Sequence, residues 1–362
     1  MRIVIVGAGL LGLSTAYFLS RDGHSVSVLE RRADCALETS FANGGMLTPS
    51  QAEPWNSPGI LLHLLRWLGR EDAPVLLRPR VLASSAGWGI AFLRNSSVQR
   101  YLANTARNGR LALYSVQQLR QLRAELKLEY TAAQAGTMKV VRDRRALEAA
   151  LQTSDVLRGL GLRQQVLDRD GMLALEPALE PVINDYHGGI HYPDDESGDA
   201  RLFCSRIRDH AASLGVEFRY GERVCGFAAG HDHVRALRTE AGEVGGDVFV
   251  ICAGSYTPGV TAELGLALPI RPVKGYSISV SMEGWQAVPR VPMIDDARHI
   301  AATPLGRTLR IAGTAEIAGF DTSIAPARVA NLTRFLCQTF PRQLSDGEPR
   351  EVNAWCGLRP YT

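Results

Sequence analysis

The first thirty residues show a strand–helix–strand pattern of apolar and polar positions. Arg2 to Val6 is a short β-branched run, which is typical of a buried parallel strand. Leu10 to Arg21 has apolar residues at helical spacing, and Gly23 and His24 then turn the chain. Ser25 to Glu30 is predicted as a second strand. The chain is therefore expected to open with a βαβ unit.

Beyond this unit, extended segments alternate with helices. Helical periodicity dominates from about Trp55 to Leu126, where Pro and Gly residues interrupt it, so this stretch looks inserted. The predicted strands are residues 136–141, 188–193, 216–220, 223–228, 234–239, 248–253, 270–280 and 308–312. The predicted helices are residues 146–157, 200–214 and 326–340. His231 and His233 fall in a predicted hairpin turn.

This order of elements predicts an α/β fold with two domains. A Rossmann-like dinucleotide-binding domain is expected beside an α+β substrate domain built on a discontinuous antiparallel sheet. The expected limits are residues 1–80 and 196–261 for the first domain, and residues 81–195 and 262–360 for the second. A chain of 362 residues is long enough to form two hydrophobic cores.

The segment from Ile60 to Gly69 is apolar and helical in period. Such a helix can pack on a membrane face or on a partner, but a core helix is favoured because this periodicity mostly marks burial. No stretch approaches the roughly 20 uninterrupted apolar residues that cross a bilayer. Membrane attachment is therefore expected to be peripheral, on the inner face of the cell membrane, if it occurs.

The composition excludes several other classes. A net charge of +3 is small for this length and indicates no nucleic-acid binding. Six cysteines without a CxxC pair argue against a zinc site or a disulfide framework and indicate reduced thiols in the cytoplasm. His187 and His191 lack a third ligand, so no metal is expected.

The candidate chemistry begins with the motif Gly7-Ala8-Gly9-Leu10-Leu11-Gly12, which lies between a predicted strand and a predicted helix. The first glycine permits a tight turn, the second allows close approach of a pyrophosphate, and the third allows the helix to pack on the strand. The helix N-terminus then offers N–H groups and its positive dipole end to the phosphates. This pattern predicts a dinucleotide site.

Glu30 and the loop after it narrow the choice of dinucleotide. Glu30 ends the second predicted strand 18 positions beyond Gly12, where a carboxylate accepts hydrogen bonds from a ribose diol and repels the extra phosphate of NADP. Residues 38–45 then form a loop rich in hydroxyl, amide and glycine instead of continuing the strand and helix alternation of an NAD domain. FAD is therefore favoured over NAD, although a structural turn uses the same residue types.

Five further blocks occur in order: Thr39–Gly45, Pro193–Asp199, Pro272–Ser277, Gly313–Asp321 and Gly357–Pro360. With them the chain resembles, over its whole length, the bacterial D-amino-acid dehydrogenases of the small-subunit type, within the larger family of D-amino-acid and glycine oxidases. The resemblance implies FAD, a discontinuous flavin domain, and oxidative deamination of D-amino acids to 2-oxo acids and ammonia. It also implies that electrons pass to a membrane quinone or an electron-transfer protein.

The resemblance assigns cofactor roles to particular positions. The glycine motif and Glu30 would hold the ADP half, Ser40, Asn43 and Gly44 would line the pyrophosphate and flavin, and Val224 would meet the adenine through its backbone. Ala253 and Gly254 would form a second close approach to the nucleotide. The full predicted cofactor set is Val6, Gly7, Ala8, Gly9, Leu10, Leu11, Gly12, Glu30, Arg31, Ser40, Asn43, Gly44, Val224, Ala253 and Gly254.

Three residues are predicted at the substrate. By resemblance Arg359 pairs with the substrate carboxylate, and a planar guanidinium is suited to that task because it makes two parallel charge-assisted bonds. Tyr276 is a candidate for the pocket wall and Lys274 for positive charge near the flavin pyrimidine ring, while a plain strand position is an equal alternative for both. The implied mechanism is hydride transfer from Cα of the neutral amine to flavin N5, followed by imine hydrolysis.

Two other functions remain open at this point. One is an FAD amine or imino-acid oxidase acting on glycine, sarcosine or D-hydroxyproline, and the other is an inactive flavin-fold subunit that only binds. The chain ends at Tyr361 and Thr362, directly after Gly357–Pro360, whereas similar proteins continue with a further flavin-contacting loop. We therefore expect a truncated gene product with weakened FAD retention.

Overall fold

The computed structural model describes residues 1–230, 233–344, 349 and 351–362, so His231 lies outside the described residues. The chain divides into two compact units. Unit 1 comprises Met1–Asn43, Ala200–Lys274 and Gly357–Thr362, and unit 2 comprises Gly44–Asp199 and Gly275–Cys356. The division at Asn43 differs from the expected limit near residue 80, and the last six residues return to unit 1.

The strands are numbered in chain order. They are β1 Arg2–Val6, β2 Ser25–Glu30, β3 Met46–Leu47, β4 Val75–Leu77, β5 Thr137–Val141, β6 Gln165–Leu167, β7 Gly188–Tyr192, β8 Glu196–Ser197, β9 Glu217–Tyr220, β10 Val224–Ala229, β11 Val234–Thr239, β12 Gly242–Gly245, β13 Val248–Ile251, β14 Arg271–Ser281, β15 Met293–Asp295, β16 Ile300–Leu305, β17 Thr308–Ile317 and β18 Asn353–Tyr361.

The α-helices follow the same numbering. They are α1 Leu10–Arg21, α2 Ile60–Trp67, α3 Leu82–Arg94, α4 Val98–Leu126, α5 Arg144–Arg158, α6 Arg169–Leu175, α7 Ala200–Ser213, α8 Thr257–Thr261 and α9 Pro326–Thr339. Among the described residues, we find no helix with the length and apolar character needed to span a bilayer.

Unit 1 is built on a parallel sheet in the order β13-β1-β2-β9. The β-branched residues of β1 are buried, as expected for a strand that is covered on both faces. Helices α1 and α7 pack against each other. A second, antiparallel sheet of β10, β11 and β12 contributes Phe227, Leu237 and Val244 to a core with Val4 and Leu29.

Unit 2 is built on one large sheet in the order β18-β14-β17-β16-β15-β5-β7-β6, with β4 also paired to β17. The pairings of β15 with β16, β16 with β17, β5 with β7 and β6 with β7 are antiparallel, whereas β15 with β5 and β17 with β4 are parallel, so the sheet is mixed. Helix α9 shares the buried core of this sheet through Leu332, Phe335 and Leu336. A smaller cluster lies under α5, with Leu157, Ile190 and others.

The apolar segment after residue 60 is not a core helix. In α2 every residue is half-buried or exposed, which makes the core prediction wrong. Helical spacing of apolar residues indicates that a face is covered, but it does not distinguish a face covered by the same chain from one covered by something else.

Candidate functional site

The loop between β1 and α1 carries the glycine motif, and the backbone requires two of its glycines. Gly7 has a φ of +105°, and a Cβ built there would lie 2.6 Å from the carbonyl oxygen of Cys252. A Cβ on Gly12 would collide with the carbonyl oxygen of Gly7. A side chain at either position would force the turn open or push α1 away from the sheet. These are the turn and packing roles that the motif predicts.

Gly9 and the first turn of α1 form a cradle for an anion. Gly9 has extended backbone, and the nearest atom to a Cβ built there would be Ser40 Oγ at 3.7 Å. The Leu10 N–H donates to Ser40 Oγ at 3.2 Å, and both Leu10 and Leu11 are exposed. The helix N-terminus therefore presents its N–H groups beside a backbone that lacks a side chain. These residues fit the pyrophosphate of a dinucleotide.

Glu30 is held in place at the carboxyl end of β2. It is buried, and its two carboxylate oxygens each accept a backbone N–H at 2.8 Å, from Ala8 and from Arg32. Each oxygen keeps a further lone pair, so the carboxylate can still accept hydrogen bonds from a ribose diol. The Glu222 N–H donates to the Glu30 carbonyl at 2.9 Å, which fixes the chain two residues before Val224.

The second predicted approach to the nucleotide follows the neighbouring strand, β13. Ile251 of β13 pairs with Val6 of β1 in a parallel register. Ala253 and Gly254 follow this strand at the same edge of the sheet as the glycine motif, and Gly254 has a φ of +54°. Nucleotides bind at the carboxyl ends of the strands in this class of sheet. The topology of unit 1 thus gathers the glycine motif, Glu30 and the segment after β13 at one edge.

Arg31 contacts two residues of unit 1, Tyr256 and Glu38. Its guanidinium lies over the ring of Tyr256, with the central carbon 3.8 Å from the ring centroid, and forms an ion pair with Glu38. Arg32 also contacts Glu38, at 2.7 Å. The interactions of Arg31 order the start of the loop that leads to Ser40, so its predicted cofactor contact stays a prediction.

Asn43 and Gly44 fall on either side of the boundary between the units. Asn43 is half-buried and is the last residue of the first stretch of unit 1. Gly44 begins unit 2, where its carbonyl accepts a hydrogen bond from Thr303 Oγ1 at 2.7 Å. Their predicted contacts with the pyrophosphate and flavin stay predictions.

The strand end that carries Arg359 is fixed by two hydroxyl groups of unit 1. The carbonyl oxygen of Leu358 accepts from Thr39 Oγ1 at 2.7 Å and from Ser255 Oγ at 2.9 Å. Leu358 and Ser255 are buried, and Arg359 is half-buried. Burial lowers the pKa of the Arg359 guanidinium, while Tyr361 opposes that shift. An arginine remains charged under these conditions, so unit 1 holds a partly desolvated cation on an anchored backbone.

Sequence reasoning did not single out Thr39 or Ser255. Thr39 entered only as the first residue of a family block, and Ser255 directly follows the predicted nucleotide residue Gly254. The available signal was that each is a small hydroxyl residue adjacent to a predicted cofactor position. Their common acceptor, Leu358, is distant in sequence and becomes apparent only in the fold.

Lys274 and Tyr276 lie on β14 on different sides of the unit boundary. Lys274 is buried at the end of its stretch of unit 1. Tyr276 is buried in the core of unit 2, and its hydroxyl donates to Glu316, which also accepts from Arg78 Nε at 2.6 Å. Burial, followed by the Glu316 carboxylate, raises the pKa of Tyr276. The Tyr276 hydroxyl is thus already bonded inside unit 2, and the predicted place of Tyr276 in the pocket wall stays a prediction.

Unit 2 contains a buried arginine that the sequence interpretation passed over. Arg310, on β17, donates through Nε to Ser279 Oγ at 2.7 Å and lies 3.8 Å from a carboxylate oxygen of Asp199. Burial lowers the pKa of Arg310, and Asp199 opposes the shift. Arg310 stands between Leu309 and Ile311 in a predicted strand, where a charged side chain that alternates with apolar ones is usually exposed.

The structure places His191, one of the two histidines considered as metal ligands, beside a backbone carbonyl. Within the part of the chain that the structure describes, no three His, Cys, Asp or Glu side chains are grouped to hold a metal ion. The Nε2 atom of His191 lies 3.0 Å from the carbonyl oxygen of Ala135. His191 therefore contacts the backbone of its own unit.

A model of the family described as DAO, FAD dependent oxidoreductase, matches residues 2–362. The chain belongs to this family. It is an FAD-dependent oxidoreductase, which confirms the predicted cofactor and the prediction of an enzyme. The glycine motif, the N-terminus of α1 and Glu30 are the residues of unit 1 whose geometry fits the ADP half of FAD.

Relatives with similar sequences carry a common name. The chain is 40% identical over 363 residues to a "D-amino acid dehydrogenase" of Methylobacterium nodulans, covering 100% of this chain and 86% of the relative. It is 41% identical over 364 residues to a protein of the same name from Paramagnetospirillum magneticum, covering 100% and 85%. The family resemblance proposed from the sequence blocks is thereby confirmed.

Solved structures support the fold class. Glycine oxidase from Geobacillus kaustophilus aligns with a TM-score of 0.76 at 21% identity, covering 100% of this chain and 83% of that one. L-proline dehydrogenase from P. horikoshii aligns with a TM-score of 0.73 at 14% identity, covering 100% and 82%. At these identities the likeness shows the fold alone, and it confirms the predicted α/β class.

Proposed function

We propose that this oxidoreductase deaminates D-amino acids to 2-oxo acids and ammonia and passes the electrons to a quinone or an electron-transfer protein. The observation that carries the proposal is Arg359, which lies on an anchored strand end in the same unit as the glycine motif. Two relatives at about 40% identity over the whole chain, each named D-amino acid dehydrogenase, support the substrate class.

The residues of unit 1 divide the work of binding and orientation. Glu30 and the N-terminus of α1 would hold the ribose and pyrophosphate of the cofactor. When bound, FAD supplies the two-electron chemistry by accepting hydride from the substrate Cα. Arg359 binds the substrate carboxylate through two parallel charge-assisted bonds, which fixes the direction in which Cα points.

The proposed reaction requires no proton transfer from the substrate nitrogen to a side chain. The substrate enters as the neutral amine, so the chain needs no strong base to accept a proton from the nitrogen. The iminium product that leaves is hydrolysed by water to the 2-oxo acid and an ammonium ion, which carries the positive charge. The chain itself has to hold the carboxylate, exclude misoriented substrates and keep the charge of Arg359 against the desolvation that lowers its pKa.

The test starts with the purified full chain and its flavin spectrum. After reconstitution with FAD, D-alanine is expected to bleach the flavin absorbance anaerobically, whereas L-alanine, glycine and sarcosine leave it largely oxidised. Re-oxidation is expected to be faster with a soluble quinone analogue than with oxygen. Bleaching by glycine or sarcosine with rapid oxygen turnover would support the amine-oxidase alternative, and bound FAD that no amine bleaches would support the binding-subunit alternative.

Two substitutions of Arg359 test its predicted contact with the substrate carboxylate in the same assay. Arg359→Lys keeps one charge but loses the planar fork, and Arg359→Leu loses both, so the KM for D-alanine is expected to rise in that order. Both variants should retain FAD, because Arg359 is not among the residues that fit the cofactor. An unchanged KM in Arg359→Leu would overturn the assignment of the carboxylate partner.

Peripheral contact with the membrane is part of this proposal. A quinone is lipid-soluble, so an enzyme that reduces it has to reach the membrane surface. In α2 of unit 2, Leu61, Leu62 and Leu65 are exposed, which supports such a contact.

A further inference from the structure

Strand β5 carries a lysine in the buried interior of unit 2. Lys139 is 4% exposed, and its two neighbours in the strand, Met138 and Val140, are buried as well. Lys139 stands opposite Ile190 of β7, so its side chain leaves the sheet on the face where Ile190 packs with other apolar residues. A lysine in such surroundings costs free energy unless acceptors satisfy its ammonium group.

The ammonium group of Lys139 has fewer acceptors than donors. It carries three N–H donors, and within the described part of the chain one acceptor is bonded to it, the Asp296 carboxylate at 2.8 Å. Asp296 directly follows β15, and its side chain is 53% exposed, so a small molecule can reach this group from solvent. Two N–H groups of a buried ammonium are therefore left to a further acceptor.

Glu53 lies near the same ammonium group without forming an ion pair. It is half-buried, and the residue before it, Ala52, packs on the apolar cluster of Ile190. Among the residues that the structure describes, no cation is close enough to pair with the Glu53 carboxylate. Burial raises the pKa of Glu53, the charge of Lys139 opposes that rise, and Asp296 adds to it. A desolvated carboxylate without a paired cation destabilises a fold, which is typical of residues held for binding.

The charges of Glu53, Lys139 and Asp296, here called the lysine cluster, restrict what can bind there. Burial lowers the pKa of Lys139, but the two carboxylates raise it by more, so the ammonium stays charged. Burial also lowers the pKa of the neighbouring His299, which is therefore neutral near pH 7. Two carboxylates repel an anion, and a cation gives the lysine N–H groups no acceptor. A neutral group that both accepts and donates hydrogen bonds fits the cluster.

We propose that the lysine cluster binds a carboxamide group, and that this group belongs to the side chain of the D-amino acid substrate. The carboxamide oxygen accepts from Lys139, and the carboxamide nitrogen donates to Glu53. Only the identity of the ligand as a substrate side chain rests on the proposed function, because the carboxamide is recognised by residues of unit 2 alone. D-Asparagine and D-glutamine are the substrates of this class.

The experiment measures kcat/KM of the FAD-loaded full-length chain for each carboxamide substrate and for an apolar substrate of similar size. D-Leucine is the match for D-asparagine, and D-methionine is the match for D-glutamine. The parent is expected to prefer the better carboxamide over its apolar match by at least about tenfold, because hydrogen bonds to charged groups are worth that factor or more.

Two substitutions remove the two charged partners separately. Glu53→Met and Lys139→Met keep an unbranched side chain of similar length, and each is expected to lower the preference at least about fivefold. Glu53→Met is also expected to keep or raise the melting temperature, because it removes a desolvated carboxylate. A merely structural carboxylate would lower the melting temperature when replaced and leave the preference unchanged. Glu53→Met provides the test should Lys139→Met fail to fold.

Arg142→Met is the matched control. Arg142 directly follows β5, and its guanidinium forms a different ion pair of the same unit, with Asp295 at 2.6 Å. The substitution removes a cation and a partly buried ion pair without touching the lysine cluster. It is expected to lower the melting temperature and to leave the preference for carboxamide substrates as in the parent.

Three results would overturn the proposal. The first is an equal kcat/KM for each carboxamide and its apolar match in the parent, and the second is an equal loss of preference in Arg142→Met. The third is a preference for D-arginine or D-lysine that Glu53→Met abolishes, which would make the cluster a cation site. If no D-amino acid bleaches the flavin, the proposed function fails. Calorimetric titration of the parent and Glu53→Met with D-asparagine and D-leucine then still decides whether the carboxamide binds.

Discussion

Removing the hydroxyl of Thr39 tests whether the flavin-binding unit positions Arg359. In Thr39→Val the bond from Thr39 Oγ1 to the Leu358 carbonyl, at 2.7 Å, is lost, while the bond from Ser255 Oγ at 2.9 Å remains. The carbonyl is still satisfied, so the expected cost is that of one neutral hydrogen bond, about 1 kcal/mol. Ser255→Ala alone is expected to cost a similar amount.

The double variant Thr39→Val with Ser255→Ala tests whether the losses of unfolding free energy in the two single variants simply add. With both hydroxyls removed, the buried Leu358 carbonyl loses both donors, and an orphaned buried acceptor costs about 1–3 kcal/mol beyond a lost bond. The loss of unfolding free energy is therefore expected to exceed the sum of the single variants. Because Arg359 is the next residue, the dissociation constant for a carboxylate ligand is expected to rise about fivefold in each single variant and more than about tenfold in the double one.

The assay is a titration of the FAD-loaded chain with benzoate, followed by the change in flavin absorbance. Thr39→Ser keeps the hydroxyl and is the matched control, which should bind benzoate like the parent. A merely structural bond would lower the melting temperature of the double variant and leave benzoate affinity unchanged. That outcome would refute the idea that these two hydroxyls position Arg359.

Three further substitutions test other parts of the site and fold. Glu30→Gln weakens the charge-assisted bonds available to a ribose, so the dissociation constant for FAD, measured by flavin fluorescence quenching, should rise about thirtyfold, and an unchanged constant would count against the ribose contact. Burial raises the pKa of Asp195 to about 6, against the opposing hydroxyls of Ser50 and Thr137. Its contribution to stability is thus full below about pH 4 and falls by about 3 kcal/mol as the pH rises through 6, a slope that denaturant titrations should show in the parent and not in Asp195→Asn. Tyr276→Phe should lower the free energy of unfolding by about 1 kcal/mol with kcat/KM for D-alanine unchanged, whereas a large fall in kcat/KM would support the predicted place of Tyr276 in the pocket wall.

The local part of the fold was predictable because its determinants are local. Strand β1, helix α1 and strand β2 fall where the apolar pattern predicts them, since a βαβ unit needs only short-range signals. Strand β16 was missed because Pro304 interrupts an alanine-rich run. Strand β15 is three residues long and pairs in parallel with β5, so its partner cannot be read from its own sequence.

In the functional site too, residues that depend on local sequence were predictable and residues that depend on long-range contacts were not. The glycine motif and Glu30 were predictable because backbone geometry demands glycine at fixed offsets and because a carboxylate follows a strand at a known distance. Thr39 and Ser255 were not predictable, since their common partner Leu358 is distant in sequence. It lies 319 positions from Thr39 and 103 positions from Ser255. Helix α2 was wrongly expected in the core because an apolar stripe that stays exposed has the same period as one that is buried.

The three residues predicted at the substrate lie in different units because two strands, β14 and β18, cross the boundary between the units. Strand β14 passes from unit 1 to unit 2 between Lys274 and Gly275, and β18 passes from unit 2 back to unit 1 between Cys356 and Gly357. Each strand is continuous, so no change of composition marks the passage, and the expected domain limits fell elsewhere. Because β18 returns to unit 1 at Gly357, Arg359 belongs to the unit that holds the glycine motif. Substitutions in the loops that bear Thr39 and Ser255 are therefore expected to alter carboxylate recognition even where they leave the cofactor bound.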